Sequence, residues 1–215
     1  MIVDNFNGIE QFLKYDDDAL AYYVEILIRA KDGNDCKRKH NNGDRTIKEL
    51  LLHHPWELRE KELEIKTLCH DFNARCYFRL NRRSFRSIGF KFIQEFLAAE
   101  QGRYQHRNPF RSISSCCGRA CDEPKSTKSW MIDVDDAALN SEKISDIERY
   151  FSISDYNSSF PKNEMIIAKF PSISGIHVIV HPFDKREFEK KFPDCLVKKD
   201  SPVILYADVE KKQRA

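Results

Sequence analysis

Two acidic residues, Asp133 and Asp135, lie one residue apart at the end of the apolar segment 130–136. Alternate side chains of an extended chain share a face, so both carboxylates are expected to project to the same side of a strand. Like charges held that close repel one another unless a divalent cation binds between them. The pair therefore indicates a metal site. The alternative is a strand that ends in a polar turn, with Asp135 or Asp136 capping the next helix.

A histidine follows a turn of small residues further along the chain. Apolar runs at residues 165–170 and 176–181 flank Ser174 and Gly175, which predicts a β-hairpin with these two residues in its turn. Glycine permits close approach by an anion, and His177 can donate a hydrogen bond to an anionic oxygen. The hairpin therefore indicates a phosphate site. The alternative is a histidine that is hydrogen-bonded at a strand edge and binds no ligand.

A third acid, Asp208, closes another short apolar segment. Residues 203–207 predict a strand, and Asp208 follows directly. We expect Asp208 to be a third metal ligand.

The order of these segments resembles the motifs of the archaeo-eukaryotic primase superfamily, the primase and primase-polymerase catalytic domains. The family's hhhDhD strand matches residues 131–135, its sxH strand matches residues 174–177, and its hhh(D/E) strand matches residues 204–208. Residues 73–81 are similar to the family's basic strand, and residues 114–118 are similar to the segment that precedes the acidic strand in phage-type members.

The resemblance implies a template-dependent nucleotidyltransferase, a DNA primase or primase-polymerase that joins nucleoside triphosphates with two divalent cations, Mg²⁺ or Mn²⁺. The implied metal ligands are Asp133, Asp135 and Asp208. The implied triphosphate-binding residues are Ser174, Gly175 and His177. The implied contacts to nucleotide or template are Arg75, Arg79 and Lys169. The implied partners are a DNA template and nucleoside triphosphates, with a separate helicase, and a short core of this kind suits a phage or mobile element.

Two other functions fit the same residues. A metal-dependent nuclease also uses clustered acids and a histidine on a basic surface. A catalytically inactive nucleic-acid-binding protein that assists replication would keep the basic surface without the chemistry.

The basic residues concentrate in the middle of the chain. Between Arg75 and Cys121 there are ten Lys or Arg residues and two acids, although the net charge of the whole chain is only +2. On a strand at residues 74–80, Arg75, Tyr77 and Arg79 are expected to face outward. Cations interleaved with an aromatic ring suit a nucleic-acid backbone. The alternative is a solvated surface whose charges are balanced by acidic residues elsewhere.

Three cysteines in the middle of the chain could either bind zinc or remain free thiols. Cys116, Cys117 and Cys121, with His106 before them, are residue types that bind zinc. The paired Cys-x-x-Cys spacing is absent, so a loop with free thiols is favoured over a structural zinc site. Seven cysteines, an odd number at irregular spacing, indicate reduced thiols.

Composition limits the class of protein. The chain has 215 residues, of which 41% are hydrophobic, so it can bury a core without disulfides. It has no apolar stretch of the roughly 18 to 20 residues that span a bilayer, and its first residues lack a signal-peptide pattern. We expect a soluble, cytoplasmic protein that does not bind membranes.

Periodicity predicts an α+β fold with a mixed or mainly antiparallel sheet flanked by helices, and a helical, basic N-terminal lobe. The primase resemblance implies that this sheet is RNA-recognition-motif-like. The predicted regions are a helical N-terminal part at 1–72 and the catalytic core at 73–215. Helices are predicted at residues 16–30, 55–70, 84–101, 141–148 and 183–192. Strands are predicted near residues 74–80, 130–135, 165–170, 176–181 and 203–207.

Three details of these elements can be checked. The helix at 84–101 is expected to begin at Ser84 and to bury its recurring Phe, Ile and Leu residues in the core. Residues 31–44 are expected to form a mobile loop. The long connection 102–129 is expected to be a flap beside the active site, because connections of that length are usually functional or disordered.

Overall fold

The structure, a computed structural model, describes residues 1–32, 44–101, 115–119, 121, 127–135, 140–153 and 158–209. The predicted loop at 31–44 and the predicted flap at 102–129 therefore lie largely outside the described residues, as do Asp136 and His106. Two antiparallel sheets flanked by helices make up these residues. The α+β class with antiparallel sheets is thus confirmed.

The first sheet has six strands: β1 (Ile2–Asp4), β2 (Leu20–Ile28), β3 (Arg45–Leu52), β4 (Arg75–Phe78), β5 (Arg83–Ser84) and β10 (Val203–Asp208). Their order in the sheet is β1-β10-β4-β2-β3, and β5 pairs with β2. Its helices are α1 (Phe6–Glu10), α2 (Pro55–Glu60), α3 (Glu62–Asp71) and α4 (Phe85–Glu100). The sheet takes strands from both sides of the predicted boundary at residue 72, so the first 72 residues are not only helical.

The elements of the second sheet along the chain are β6 (Trp130–Asp135), α5 (Asn140–Ile153), β7 (Ile166–Pro171), β8 (Gly175–Val180), α6 (Arg186–Lys191) and β9 (Leu196–Lys198). The strand order is β7-β8-β6-β9, and all of the pairs are antiparallel. The predicted hairpin and both helices of this sheet are observed. The predicted strand at 203–207 is also observed, but it is β10 and belongs to the first sheet.

Each sheet packs on its own set of helices. The largest core cluster joins α1, α2 and α3 to one face of the first sheet, and Met131, Phe170 and Ile179 of the second sheet pack into the same cluster. A second cluster fills the other face of the second sheet, where α5 and α6 cover β6 and β8. One face of the second sheet is therefore covered by helices, and the opposite face lies against the first sheet.

The predicted helix at 16–30 is wrong, because residues 20–28 form strand β2. This segment is rich in aromatic and β-branched residues, which fit a pleated surface, and β2 pairs with both β3 and β4. The acidic run before it is not a helix N-terminus. The Asp17 carboxylate instead accepts a hydrogen bond from the Ala19 N–H at 2.9 Å and forms a turn into the strand.

The predicted helix at 84–101 is observed as α4, but its predicted burial is wrong. Ser84 is the N-cap, as expected, since its hydroxyl accepts a hydrogen bond from the Ser87 N–H at 3.1 Å. Ile88 is the buried residue of α4, and most of its other large apolar side chains are about half exposed.

Among the described residues, no helix is long and apolar enough to cross a membrane.

Candidate functional site

Strands β6 and β8 bring the two aspartates and the histidine together. Asp133 lies directly opposite His177 across the antiparallel pair, and Asp135 lies opposite Gly175. Residues that face each other across a pair share a face of the sheet. Asp133, Asp135 and His177 are therefore on one face and next to one another, as the sequence predicted.

The alternation of β6 explains why this face carries the acids. Ile132 and Val134 are fully buried on the opposite face, in the cluster formed with α5 and α6. On the acidic face, Met131 is buried against the first sheet, while Asp135 at the strand end is exposed. Burial of Ile132 and Val134 on one face and of Met131 on the other fixes the orientation of β6. The two carboxylates therefore project at the end of the strand, where the second sheet leaves its contact with the first.

Asp133 is held between two partners. Its Oδ1 lies 3.5 Å from His177 Nε2, and its Oδ2 accepts a hydrogen bond from Lys198 Nζ at 2.5 Å. Lys198 comes from β9, the other neighbour of β6, where it is paired with Met131 and so shares the acidic face. Sequence reasoning missed Lys198. Leu196 and Val197 are both apolar, so the sequence has no alternation here that would have found Lys198. In the structure Val197 is buried on one face, and Leu196 and Lys198 lie on the other.

Burial lowers the pKa of His177 below its ordinary 6.5, and the neighbouring Lys198 ammonium lowers it further. The Asp133 and Asp135 carboxylates oppose this by raising the same pKa. His177 is 7% exposed, and its Nδ1 is buried without a hydrogen-bond partner among the described residues. Burial thus favours the neutral imidazole, and the ring retains one nitrogen whose hydrogen bond is not made within the described part of the chain.

The hairpin turn is anchored to the acidic strand. The Ser174 hydroxyl donates a hydrogen bond to Asp135 Oδ1 at 2.8 Å, and the Gly175 N–H donates to Ser172 Oγ at 3.0 Å. A Cβ added at Gly175 would lie 1.9 Å from the Val134 carbonyl oxygen, so this position requires glycine for close strand approach. Gly175 therefore sets the strand spacing, and Ser174 orients a carboxylate.

Asp208 does not join the two aspartates. It ends β10 of the first sheet, and its Oδ2 lies 3.0 Å from His70 Nδ1. Nowhere in the described part of the chain do three His, Cys, Asp or Glu side chains form a group able to hold a metal ion. The pair Asp133 and Asp135 is therefore without a third protein carboxylate in the described ranges.

The predicted basic residues are occupied elsewhere. Arg75 is buried and makes a bidentate ion pair with Asp32. Lys169 pairs with Glu148 of α5, on the helix-covered side of the second sheet. The expectation that Arg75 and Tyr77 face outward is wrong, because both side chains are buried.

Arg79 is the predicted basic residue that contacts the chain leaving β9. Its Nη1 donates a hydrogen bond to the Asp200 carbonyl oxygen at 2.6 Å, two residues past Lys198. Burial lowers the pKa of Arg79, and the nearby Arg83 guanidinium lowers it further. Arg79 thus fixes the chain that leaves β9.

The cysteine cluster does not form a metal centre with the described residues. Cys116 and Cys117 are buried free thiols, and Cys121 is a partly buried one. The Cys117 carbonyl accepts a hydrogen bond from Arg83 Nε at 2.8 Å. Burial raises the pKa of both the Cys116 and Cys117 thiols, which disfavours the thiolate form that binds zinc.

The Asp133 and Asp135 carboxylates fit a hard divalent cation whose remaining ligands come from a bound substrate. Magnesium is commonly bound through one or two carboxylates together with substrate phosphates, rather than by a full set of protein ligands. Asp133 and Asp135 supply two such carboxylates on one face. In the structure the Lys198 ammonium neutralises Asp133. A divalent cation that binds Asp133 Oδ2 would therefore have to displace the ammonium.

Comparisons of the chain with protein-family models, with curated proteins and with solved structures found no match.

Proposed function

We propose that the protein is a template-dependent nucleotidyltransferase of the primase or primase-polymerase type. The observation that carries the proposal is the placement of Asp133, Asp135 and His177 on one face of paired strands, beside the turn that contains Ser174. Carboxylates for a divalent cation and a neutral imidazole for a phosphate oxygen then share one small volume. That is the donor set a bound metal–triphosphate needs.

The topology of the second sheet supports the same proposal. Its elements follow the order β6-α5-β7-β8-α6-β9, with the two central strands β6 and β8 side by side and both helices on one face. This is the β-α-β-β-α-β order of the ferredoxin-like motif, and we propose that the sheet is of the RNA-recognition-motif-like kind that the primase resemblance implies. The acids and the histidine lie on its two central strands, on the face without helices.

Each residue has a specific part in the proposed reaction. Asp133 and Asp135 would hold Mg²⁺ or Mn²⁺, which when bound lowers the charge on the triphosphate and favours ionisation of the attacking 3′-hydroxyl. His177 would donate a hydrogen bond to a triphosphate oxygen, because burial disfavours its charged form and holds the ring in place. Ser174 orients the Asp135 carboxylate. A DNA template and nucleoside triphosphates are the proposed substrates, and a separate helicase is a proposed partner.

The test is template-directed incorporation of labelled nucleotides with Mn²⁺ or Mg²⁺. The wild-type protein should lengthen the labelled strand, and the double variant Asp133→Asn/Asp135→Asn should not. Asp184→Asn is the matched control, because Asp184 pairs with Arg186 at the start of α6, away from the acidic face. Equal incorporation by wild type and the double variant would refute the proposal, and shortening of the strand would identify a nuclease instead.

A second function, nucleic-acid binding without catalysis, is favoured by one observation. Lys198 already neutralises Asp133, and Asp208 lies in the other sheet. An inactive accessory protein would need no cation at this place. It predicts that wild type incorporates no nucleotide with either metal, and that Asp133→Asn leaves its affinity for DNA unchanged.

A further inference from the structure

Helix α4 presents a long apolar stripe that the rest of the described chain leaves open. The helix is attached through Ile88, which packs with Tyr23, Cys116 and Cys117. Four large apolar side chains on a second stripe are each more than half exposed: Phe90 56%, Ile93 53%, Phe96 54% and Leu97 53%. Contiguous exposed apolar residues on one helix face are typical of an interaction surface.

The sequence of this stripe is arranged symmetrically about Ile93. Steps of three and four residues place one set of α4 positions on a single face. These positions are Arg86, Gly89, Phe90, Ile93, Phe96, Leu97 and Glu100. Phe90 and Phe96 lie three residues either side of Ile93, Gly89 and Leu97 lie four residues either side, and Arg86 and Glu100 lie seven residues either side.

We propose that this face binds a second copy of the chain, with the two α4 helices antiparallel about a two-fold axis at Ile93. A two-fold axis brings each position of one helix opposite its mirror position on the other. Phe90 of one copy then meets Phe96 of the other, and Leu97 meets Gly89. A Cβ at Gly89 would contact no atom within 4 Å, so the space above Gly89 is open to receive the leucine.

The charges select the antiparallel direction and a second copy as the occupant. Arg86 lies in the first turn of α4 and Glu100 in the last, and each sits at the end where the helix dipole disfavours its charge. An antiparallel copy places Arg86 opposite Glu100 at both ends of the stripe. A parallel copy would place like charges together. The Arg86 guanidinium also lies over the Phe90 ring, 5.7 Å from the ring centroid. The Arg86 side chain therefore extends along the same stripe.

The first test is the oligomeric state of the full chain by sedimentation equilibrium. Wild type should form a concentration-dependent dimer, and Ile93→Glu should be monomeric, because it would bury two like charges at the axis. Gln94→Glu is the matched control: Gln94 is exposed on the same helix but outside the stripe, and the variant adds the same charge. Far-ultraviolet circular dichroism establishes that each variant is folded.

The second test is charge reversal. Arg86→Glu should weaken the dimer by roughly fivefold or more, because two symmetric pairs each become a like-charge contact. The double variant Arg86→Glu/Glu100→Arg should restore the wild-type constant within about twofold, since it recreates both pairs in reverse. A monomeric wild type at hundreds of micromolar, equal behaviour of Ile93→Glu and Gln94→Glu, or a double variant as weak as the single one would overturn the proposal. The proposal does not depend on nucleotidyl transfer.

Discussion

Replacement of Lys198 by Gln should strengthen the binding of a divalent cation at Asp133. The Lys198 ammonium lies 2.5 Å from Asp133 Oδ2, so a cation that approaches this oxygen competes with it. The Asp133 side chain is 16% exposed and the Lys198 side chain is 37% exposed. The pair is therefore partly solvated, and its strength is close to that of surface ion pairs rather than buried ones.

The size of the effect follows from that exposure. Exposed ion pairs contribute about 0.2–1 kcal/mol, and the low exposure of Asp133 places this pair at the upper end of the range. Removal of about 1 kcal/mol of competition corresponds to roughly fivefold tighter binding. A second change has the same cause: Lys198 lowers the pKa of His177, so its loss should raise that pKa.

Electron paramagnetic resonance of free Mn²⁺, titrated with protein in the absence of nucleotide, measures the affinity. Lys190→Gln is the control, because Lys190 is 72% exposed on α6 and its loss changes the net charge equally. A proton NMR titration of His177 follows the pKa. If Lys198→Gln binds Mn²⁺ no more tightly than Lys190→Gln, then Asp133 is not the cation ligand that we propose.

Three further predictions concern the structure that positions the site. Gly175→Ala should destabilise the fold by about 1–3 kcal/mol in urea unfolding, because its Cβ would lie 1.9 Å from the Val134 carbonyl oxygen. Arg83→Ala should cost about 3–5 kcal/mol in the same assay, because Arg83 is fully buried and its Nη2 lies 2.9 Å from Asp200 Oδ2, which would lose that partner. Glu25→Gln should stabilise the protein at pH 7.5 but not at pH 4. Burial raises the pKa of Glu25 above its ordinary 4.5, so ionisation of this carboxyl in the folded protein lowers the free energy of unfolding as the pH rises.

Each of these predictions has a matched control. Gly118→Ala should be mild, because its Cβ would lie at an ordinary 3.6 Å from the end of a flexible arginine side chain. Arg186→Ala and Glu60→Gln should leave unfolding unchanged, because both side chains are exposed. A variant that matches its control, or a Glu25→Gln effect that is the same at both pH values, would contradict the stated cause.

Local patterns were sufficient to predict the acidic face of the second sheet. Strand alternation placed Asp133 and Asp135 together, and the Ser174–Gly175 turn placed His177 on the next strand. These features depend on residues close in sequence, and the pairing of β6 with β8 adds only one long-range choice. The Ser84 cap of α4 was predictable for the same reason, since the Ser84 hydroxyl accepts a hydrogen bond from the N–H of Ser87, only three residues further along the chain.

Long-range pairing explains most of what the sequence did not reveal. The apolar run ending at Asp208 predicts a strand but not its sheet, which is decided by its pairing with β1 and β4. Arg75 appears free in sequence, yet its partner Asp32 lies 43 positions away. Strand β2 was mistaken for a helix because an acidic run precedes it, and tertiary pairing overrides such local signals.

The exposed stripe of α4 shows the limit of periodicity. A three- and four-residue repeat of Phe, Ile and Leu predicts an amphipathic helix but does not say what covers the apolar face. Of the α4 side chains, all of which lie in the described ranges, Ile88 alone is buried, and it packs with Tyr23 of the first sheet. The same pattern serves a core or an interface, and the sequence does not distinguish them.

The most direct test of the central claim is an anomalous diffraction map of crystals grown with Mn²⁺ and a non-hydrolysable nucleoside triphosphate. We predict a manganese peak bound by Asp133 and Asp135, with the triphosphate in contact with His177 and the Lys198 ammonium displaced from Asp133. A nucleotide bound elsewhere, with Lys198 still paired to Asp133 and no manganese at the two carboxylates, would contradict the claim.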